Sequence, residues 1–461
     1  YSAQGFPEGD FVYPSFSNGY PEGGSPTYYE NTSRSMNGYF NLGYSFDDRY
    51  LMDFSLRENG SSVFGASKRY IGTWSVGLGW NLHKERFIAD HLTWIDFLKL
   101  RASIGNPGNQ NFSSSKTLTT FNFQLASMNY FGMGAVLNQL GNPDLDWQIT
   151  LDKNIGIDMT LIDKRLNITA DYYHKVTDPL LINISMPLSS GTSSYLTNMG
   201  KQISQGLTLS ASYYIIQKLD QRFSWLVRGN LRTQKTKLDK IGNKLDELNK
   251  SGQGHNTVRY YNGADPDDIW AVKSAGIDPS TGRELFYDKE GNYTYDFSYD
   301  NEVICGNTRP KIEGVIGTSL NYKGFSVSMN FRYQTGASVF NEALFNKVEN
   351  ISVSGLNKNQ DKRALYERWQ NPGDKVRFKD IANAASTPMS SRFIQKENVL
   401  SMESVYVGYE FYEGWIKKIG LSNLKIQASM RDVFRASTIK SERGTLYPFA
   451  RSLELGLSFN F

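Results

Sequence analysis

Apolar and polar positions alternate without a miss over the last ten residues: Leu453, Leu455, Leu457, Phe459 and Phe461 fall on one parity and Ser452, Glu454, Gly456, Ser458 and Asn460 on the other. Successive strand side chains point to opposite faces, so this segment predicts a β-strand with one apolar face and one face of small or polar groups. The same alternation recurs along the chain. Phe40, Leu42, Tyr44 and Phe46 are answered by Tyr50, Met52, Phe54 and Leu56 across Asp47-Asp48-Arg49. Further copies follow at Trp74 to Trp80, Leu98 to Ile104, Ile155 to Leu161, Leu166 to Tyr172, Leu207 to Tyr213 and Phe223 to Leu231. Ile312 to Tyr322 and Phe325 to Tyr333 flank Lys323-Gly324, where Gly324 supplies the positive φ of a two-residue hairpin turn. Val405 to Phe411 and Leu424 to Met430 precede the tail.

About thirteen strands of roughly eight to twelve residues result, close to the length a tilted strand needs to cross a bilayer. Their connections alternate in length. Short ones fall at Asp47, about Lys84, Ile162, about Lys218, Lys323 and Gly414; long ones fall at Gly60, Asn106, Asp178, Asp265, Leu356 and Arg435. Short turns on one side and long loops on the other mark an outer-membrane barrel, whereas a soluble sandwich has no reason to sort its loops. The fold class expected is all-β, a transmembrane antiparallel β-barrel whose short turns are periplasmic. In this reading residues 1–35 are an extracellular loop segment and 36–461 the C-terminal part of the barrel. Large extracellular loops span about 105–145, 234–310 and 336–400, the last with a short helix at Asp361 to Trp369. An odd number of strands cannot close a bacterial barrel, so an odd number of earlier strands is expected before Tyr1.

Composition narrows the function classes. No run of about eighteen apolar residues exists for a transmembrane helix, although aromatics reach 14%. The net charge of +4 on 50 basic and 46 acidic residues is interspersed, which leaves no nucleic-acid footprint. Cys305 alone permits no intrachain disulfide, and His83, His91, His174 and His255 have no zinc spacing. GxSxG, HExxH and P-loop patterns are missing, so no enzyme is expected, and no cofactor.

Candidate chemistry concentrates in the longest loop. Tyr260, Tyr261, Trp270, Tyr287, Tyr293 and Tyr295, with Phe286 and Tyr299 near them, put flat rings beside Asp265, Asp267 and Asp268. Such rings stack on sugar faces or peptide side chains, or else build the loop's own core or a partner contact. The three aspartates are either a calcium site or a solvated acidic turn; their spacing is not that of an EF-hand. Arg57, Arg101, Asp158, Asp171, Arg228, Arg332 and Arg431 share the lumen parity and are expected to form ion-pair ladders along the wall or to contact a plug. Phe459 and Phe461 are read as the C-terminal strand's assembly signal.

The stretches YSFDDRYLMDFSLRENGSSVFG, LKLRASIGNPGNQ, NPDLDWQIT, IDKRLNITADYYHKVTDPLL, GIDPSTGRELFYDKEGN, RPKIEGVIGTSLNYKGFSVSMNFRYQTG, RWQNPGDK and YPFARSLELGLSFNF carry a resemblance. In this order they resemble the C-terminal part of a SusC-like TonB-dependent transporter of the Bacteroidetes outer membrane (the SusC/RagA family). The segment before the final strand, Arg435 to Tyr447, is shorter than is usual there. The resemblance implies a 22-stranded barrel, of which thirteen strands here leave nine elsewhere. It also implies an N-terminal plug with a TonB-contacting box, both expected to lie outside this sequence. The expected function is TonB-dependent import of oligosaccharides or oligopeptides across the outer membrane. Implied partners are a SusD-like lipoprotein, TonB-ExbB-ExbD acting through the plug, outer-membrane lipid, and a second transporter-lipoprotein pair. The alternatives are a siderophore or cobalamin receptor of the wider TonB-dependent group, and a passive porin or structural barrel.

Overall fold

A computed structural model describes residues 32–461, apart from 63–68, 110–116, 131, 187, 193, 219, 356, 384 and 441–450. Most of the expected 1–35 loop segment, and most of the connection before the last strand, therefore lie outside the described residues. No described helix is long and apolar enough to cross a membrane.

The wall is one antiparallel sheet of thirteen strands, each hydrogen-bonded to its neighbours in sequence. They are β1 (Ser35–Phe46), β2 (Tyr50–Ser61), β3 (Tyr70–Asn81), β4 (Ile95–Gly105), β5 (Gln148–Leu161), β6 (Leu166–Thr177) and β7 (Lys201–Lys218), followed by β8 (Phe223–Asp239), β9 (Ile312–Tyr322), β10 (Phe325–Phe340), β11 (Ile394–Phe411), β12 (Asn423–Ser437) and β13 (Leu453–Asn460). The expected strands are all present. Several run longer than expected, β7 and β11 to 18 residues each. Beyond Leu231 the chain reads Arg232-Thr233-Gln234-Lys235-Thr236-Lys237, polar on both faces, so no apolar parity shows the strand continuing. The ladder continues regardless, pairing Gln205 with Lys235 and Lys201 with Asp239.

Turn chemistry fixes the register. Lys323 (φ 45°) and Gly324 (φ 90°) both take the left-handed conformation, so Tyr322 pairs with Phe325. Asp47 and Asp48 adopt positive φ between paired Phe46 and Tyr50. The β5–β6 turn puts even the β-branched Ile162 at φ 58°, and its N–H donates to Trp94 O at 3.0 Å.

The two faces differ as the alternation requires. On one, Ile155 (65% exposed), Leu455 (78%) and Leu457 (63%) stand free of protein, which suits contact with lipid chains. Aromatic rings mark the short-turn rim. Tyr50 stacks between Phe46 (6.5 Å between centroids) and Trp80 (6.2 Å), and Phe459 meets Phe461 at 5.7 Å. Glu85 gathers the first of these groups, accepting from Tyr50 Oη at 2.9 Å and Trp80 Nε1 at 3.0 Å.

The other face carries ion pairs at some of the expected positions. Arg101 donates to Asp158 at 2.7 Å and contacts Asp171 at 2.9 Å, across Gly156, where a Cβ would lie 2.4 Å from Asp171 Oδ1. Arg332 pairs with Glu403, and Arg228 donates to Asn330 Oδ1 at 3.2 Å. Buried apolar cores lie at the long-loop end. Leu180, Leu238, Ile241 and Leu245 form one; Leu344, Val348, Ala364, Phe378 and Phe393 form another.

Candidate functional site

Two long connections dominate the long-loop end, residues 240–311 between β8 and β9 and 341–393 between β10 and β11. Each holds short elements of its own. The first has a three-stranded sheet (Ser274–Ile277, Glu284–Tyr287, Tyr293–Thr294) and a two-stranded one (Asp268–Val272 with Glu302–Asn307). The second has a one-turn helix, Arg363–Tyr366, inside the expected Asp361 to Trp369.

A buried ionic joint welds the two. Arg392 donates through Nη2 to Glu284 at 2.8 Å and to Glu349 at 2.6 Å, and Ser390 Oγ donates to Glu284 at 2.6 Å. Burial opposes the Arg392 cation, but the hydrogen bonds and charge of both carboxylates raise its pKa above the ordinary guanidinium value. Trp369 Nε1 donates to Pro279 O at 2.9 Å, and its ring lies against Gly282, where a Cβ would come within 2.6 Å. Lys379 is buried beside the joint, and that burial lowers its pKa. A cavity of about 260 Å³ between the loops is lined by Glu284, Phe286, Tyr295, Phe297, Glu349 and Lys379.

The aromatic residues predicted from the sequence divide into groups. Tyr260 packs on the Leu238/Ile241 core. Tyr261 and Trp270 meet at 4.8 Å, and Tyr287 and Tyr293 at 5.1 Å with Lys273 Nζ 5.1 Å from the Tyr287 ring. The hydroxyl of Tyr295 donates to Asp278 while Arg283 covers its ring at 4.7 Å. Phe286 is buried against Phe297, which meets Tyr299. Phe286 and Tyr260 serve the loop's own core, whereas Tyr293, 67% exposed, presents a ring to solvent. Among the described residues no ring contact joins these groups into one platform.

Asp278 anchors the turn before this aromatic set. Tyr295, Ser280 (2.9 Å from its backbone N–H) and Thr281 (2.9 Å) all donate to it, which holds its pKa far below the usual carboxylate range. The acidic cluster is neither a calcium cradle nor an open turn: Arg309 pairs with Asp265 at 3.4 Å and with Asp267, while Asp268 accepts from Asn307 at 2.9 Å. Sequence reasoning missed the Arg392–Glu284–Glu349 joint. Its members are 108 and 43 residues apart along the chain, and no local pattern links them.

The family described as TonB dependent receptor-like, beta-barrel matches residues 2–341. TonB-dependent receptor P39 of Formosa agariphila is 27% identical over 470 residues, covering 91% of this chain and 44% of that protein. TonB-dependent receptor SusC of Bacteroides thetaiotaomicron is 26% identical, covering 93% and 44%. The chain thus spans less than half the length of these relatives. The RagAB peptide transporter superposes with a TM-score of 0.78 at 22% identity, covering 89% of this chain and 44% of that one, a likeness of fold.

Proposed function

The chain belongs to the TonB-dependent receptor-like β-barrel family of the outer membrane, not to a family of enzymes, and from that premise we propose that it forms part of an energised nutrient importer. In this reading it takes oligosaccharides or oligopeptides from a SusD-like surface lipoprotein and passes them inward when TonB-ExbB-ExbD acts on the full-length receptor. The observation that carries the proposal is the welded pair of long loops at one end of a polar-lined wall. A passive pore gains nothing from fixing about 120 residues of loop over its mouth with a buried ion pair and two apolar cores. The exposed rings of Tyr261, Tyr293 and Tyr295, with half-buried Tyr287 against Tyr293 and Trp270 against Tyr261, are the proposed outer contacts for solute. Residues 1–35 are proposed as outer loop, 36–461 as barrel, and Phe459 and Phe461 as the signal read by the assembly machinery.

The test uses the full-length receptor in its native outer membrane. A surface lipoprotein should co-purify in mild detergent, and solute uptake should fall to background when TonB is removed. Uptake that persists without TonB would make this a passive pore and overturn the proposal.

A further inference from the structure

The inner face of the wall carries a polar recess beside the loop bases. Its lining is set by register. Asp152 on β5 pairs with Lys175 on β6, which pairs with Ser204 on β7, which pairs with Thr236 on β8. The next row is Asn154, Tyr173, Gly206 and Gln234, and the row below it Gly156, Asp171, Thr208 and Arg232. Side chains two apart on a strand share a face, so this parity forms one continuous patch. Of these, Asp152, Lys175, Ser204, Asn154, Tyr173, Gln234, Thr208 and Arg232, together with Thr150, Thr177, Gln202 and Pro107, line an open cavity of about 730 Å³.

Three features specify what would fill it. First, charge is balanced: Lys175 Nζ meets Asp152 Oδ2 at 2.8 Å, and Arg232 meets Glu313 at 3.9 Å. A charged ligand therefore finds no uncompensated partner. Second, apart from the Pro107 ring the lining offers hydroxyls, amides and paired charges, and no aliphatic pocket for a peptide side chain. Its one aromatic ring, Tyr173, lies across Gly206 of the neighbouring strand, where a Cβ would sit 2.5 Å from the phenol oxygen. That leaves a flat ring on the wall, with Lys175 Nζ 5.4 Å from its centroid. Third, two oxygens shielded from solvent, Asp152 Oδ1 and Tyr173 Oη, have no hydrogen-bond partner among the described residues. Buried polar atoms are normally paired, and an unpaired one costs stability until a donor arrives.

We infer that this recess is a binding subsite for a neutral, hydroxyl-rich chain, an oligosaccharide. Its hydroxyls donate to Asp152 Oδ1 and Tyr173 Oη and exchange hydrogen bonds with Asn154, Gln202 and Gln234, while a sugar face lies on the Tyr173 ring. A peptide supplies backbone donors but also side chains for which the recess has no apolar place. The inference rests on the importer reading and chooses between its two cargo classes.

Equilibrium binding to the purified full-length receptor tests it independently of transport. The probes are neutral hexasaccharides of α-glucan, β-glucan, β-mannan and β-xylan type, and a neutral hexapeptide blocked at both ends. A hexasaccharide should bind and the hexapeptide should not. D152N keeps the side chain's size and should weaken saccharide binding about tenfold, as should N154A, at wild-type yield in the outer membrane. Saccharide binding untouched by both variants, binding of the hexapeptide alone, or no hexasaccharide binding would each overturn the subsite. Because no energy source is present, loss of TonB-dependent uptake with saccharide binding intact would count against the importer reading and leave the subsite standing.

Discussion

At the residue scale the wall depends on glycines that make room for side chains and backbone of the neighbouring strands. A Cβ at Gly314 would lie 1.9 Å from the Asn230 carbonyl oxygen and 2.6 Å from Tyr333 Oη, whereas at Gly229 the nearest atom is 3.8 Å away. G314A should therefore destabilise the barrel by about 1–3 kcal/mol through overpacking, and G229A by far less. The temperature at which the full-length receptor loses its folded mobility in detergent gels reads the difference, and equal shifts would refute the packing account. Asp278 gives a pH expectation at the same scale. Its pKa is depressed, so the stability it contributes is fully present above the ordinary value of 3.8 and lost only as pH falls through the much lower folded value. The Asp278–Tyr295 turn should accordingly keep its backbone protection at pH near 4, measured by hydrogen exchange, and lose it in D278N at neutral pH. What the sequence showed at this scale was parity: Arg101, Asp158 and Asp171 were legible as wall partners because they share one face at a spacing of two. Lys175 and Asp152 obey the same rule and were legible in principle.

Elements separate into those the pattern reveals and those it does not. The thirteen strands and the Lys323-Gly324 turn could be read because one face of each strand meets lipid and the other does not. Outer strand extensions such as Arg232 to Asp239, and the short sheets at Ser274–Ile277 and Glu284–Tyr287, carry no such contrast. The joint of Arg392, Glu284 and Glu349 is the extreme case, since it exists only after distant loops meet. Removing Arg392 leaves the Glu349 carboxylate, whose side chain is 0% exposed, without its cation. R392M should cost about 3–5 kcal/mol locally, the usual effect of deleting one partner of a buried ion pair. Hydrogen exchange and protease cleavage should then rise in both 240–311 and 341–393. A rise confined to 341–393 would show that the loops are not one body.

For the whole molecule, the family match, the register and the face chemistry agree on an outer-membrane barrel wall. Cargo was not legible from loop aromatics, because Tyr260, Trp270, Tyr287 and Tyr295 serve different local contacts rather than one platform. The loop joint also sets an order in time. Glu284 precedes β9, and Arg392 stands two residues before β11, so bringing them together by chance would mean closing a loop of more than a hundred residues. Once β9 has zipped to β10 across its two-residue turn and β10 has paired with β11, the sheet has already met that closure entropy. The mouth of this barrel is therefore finished after its wall, and an error in strand register would be recorded as loops that fail to meet.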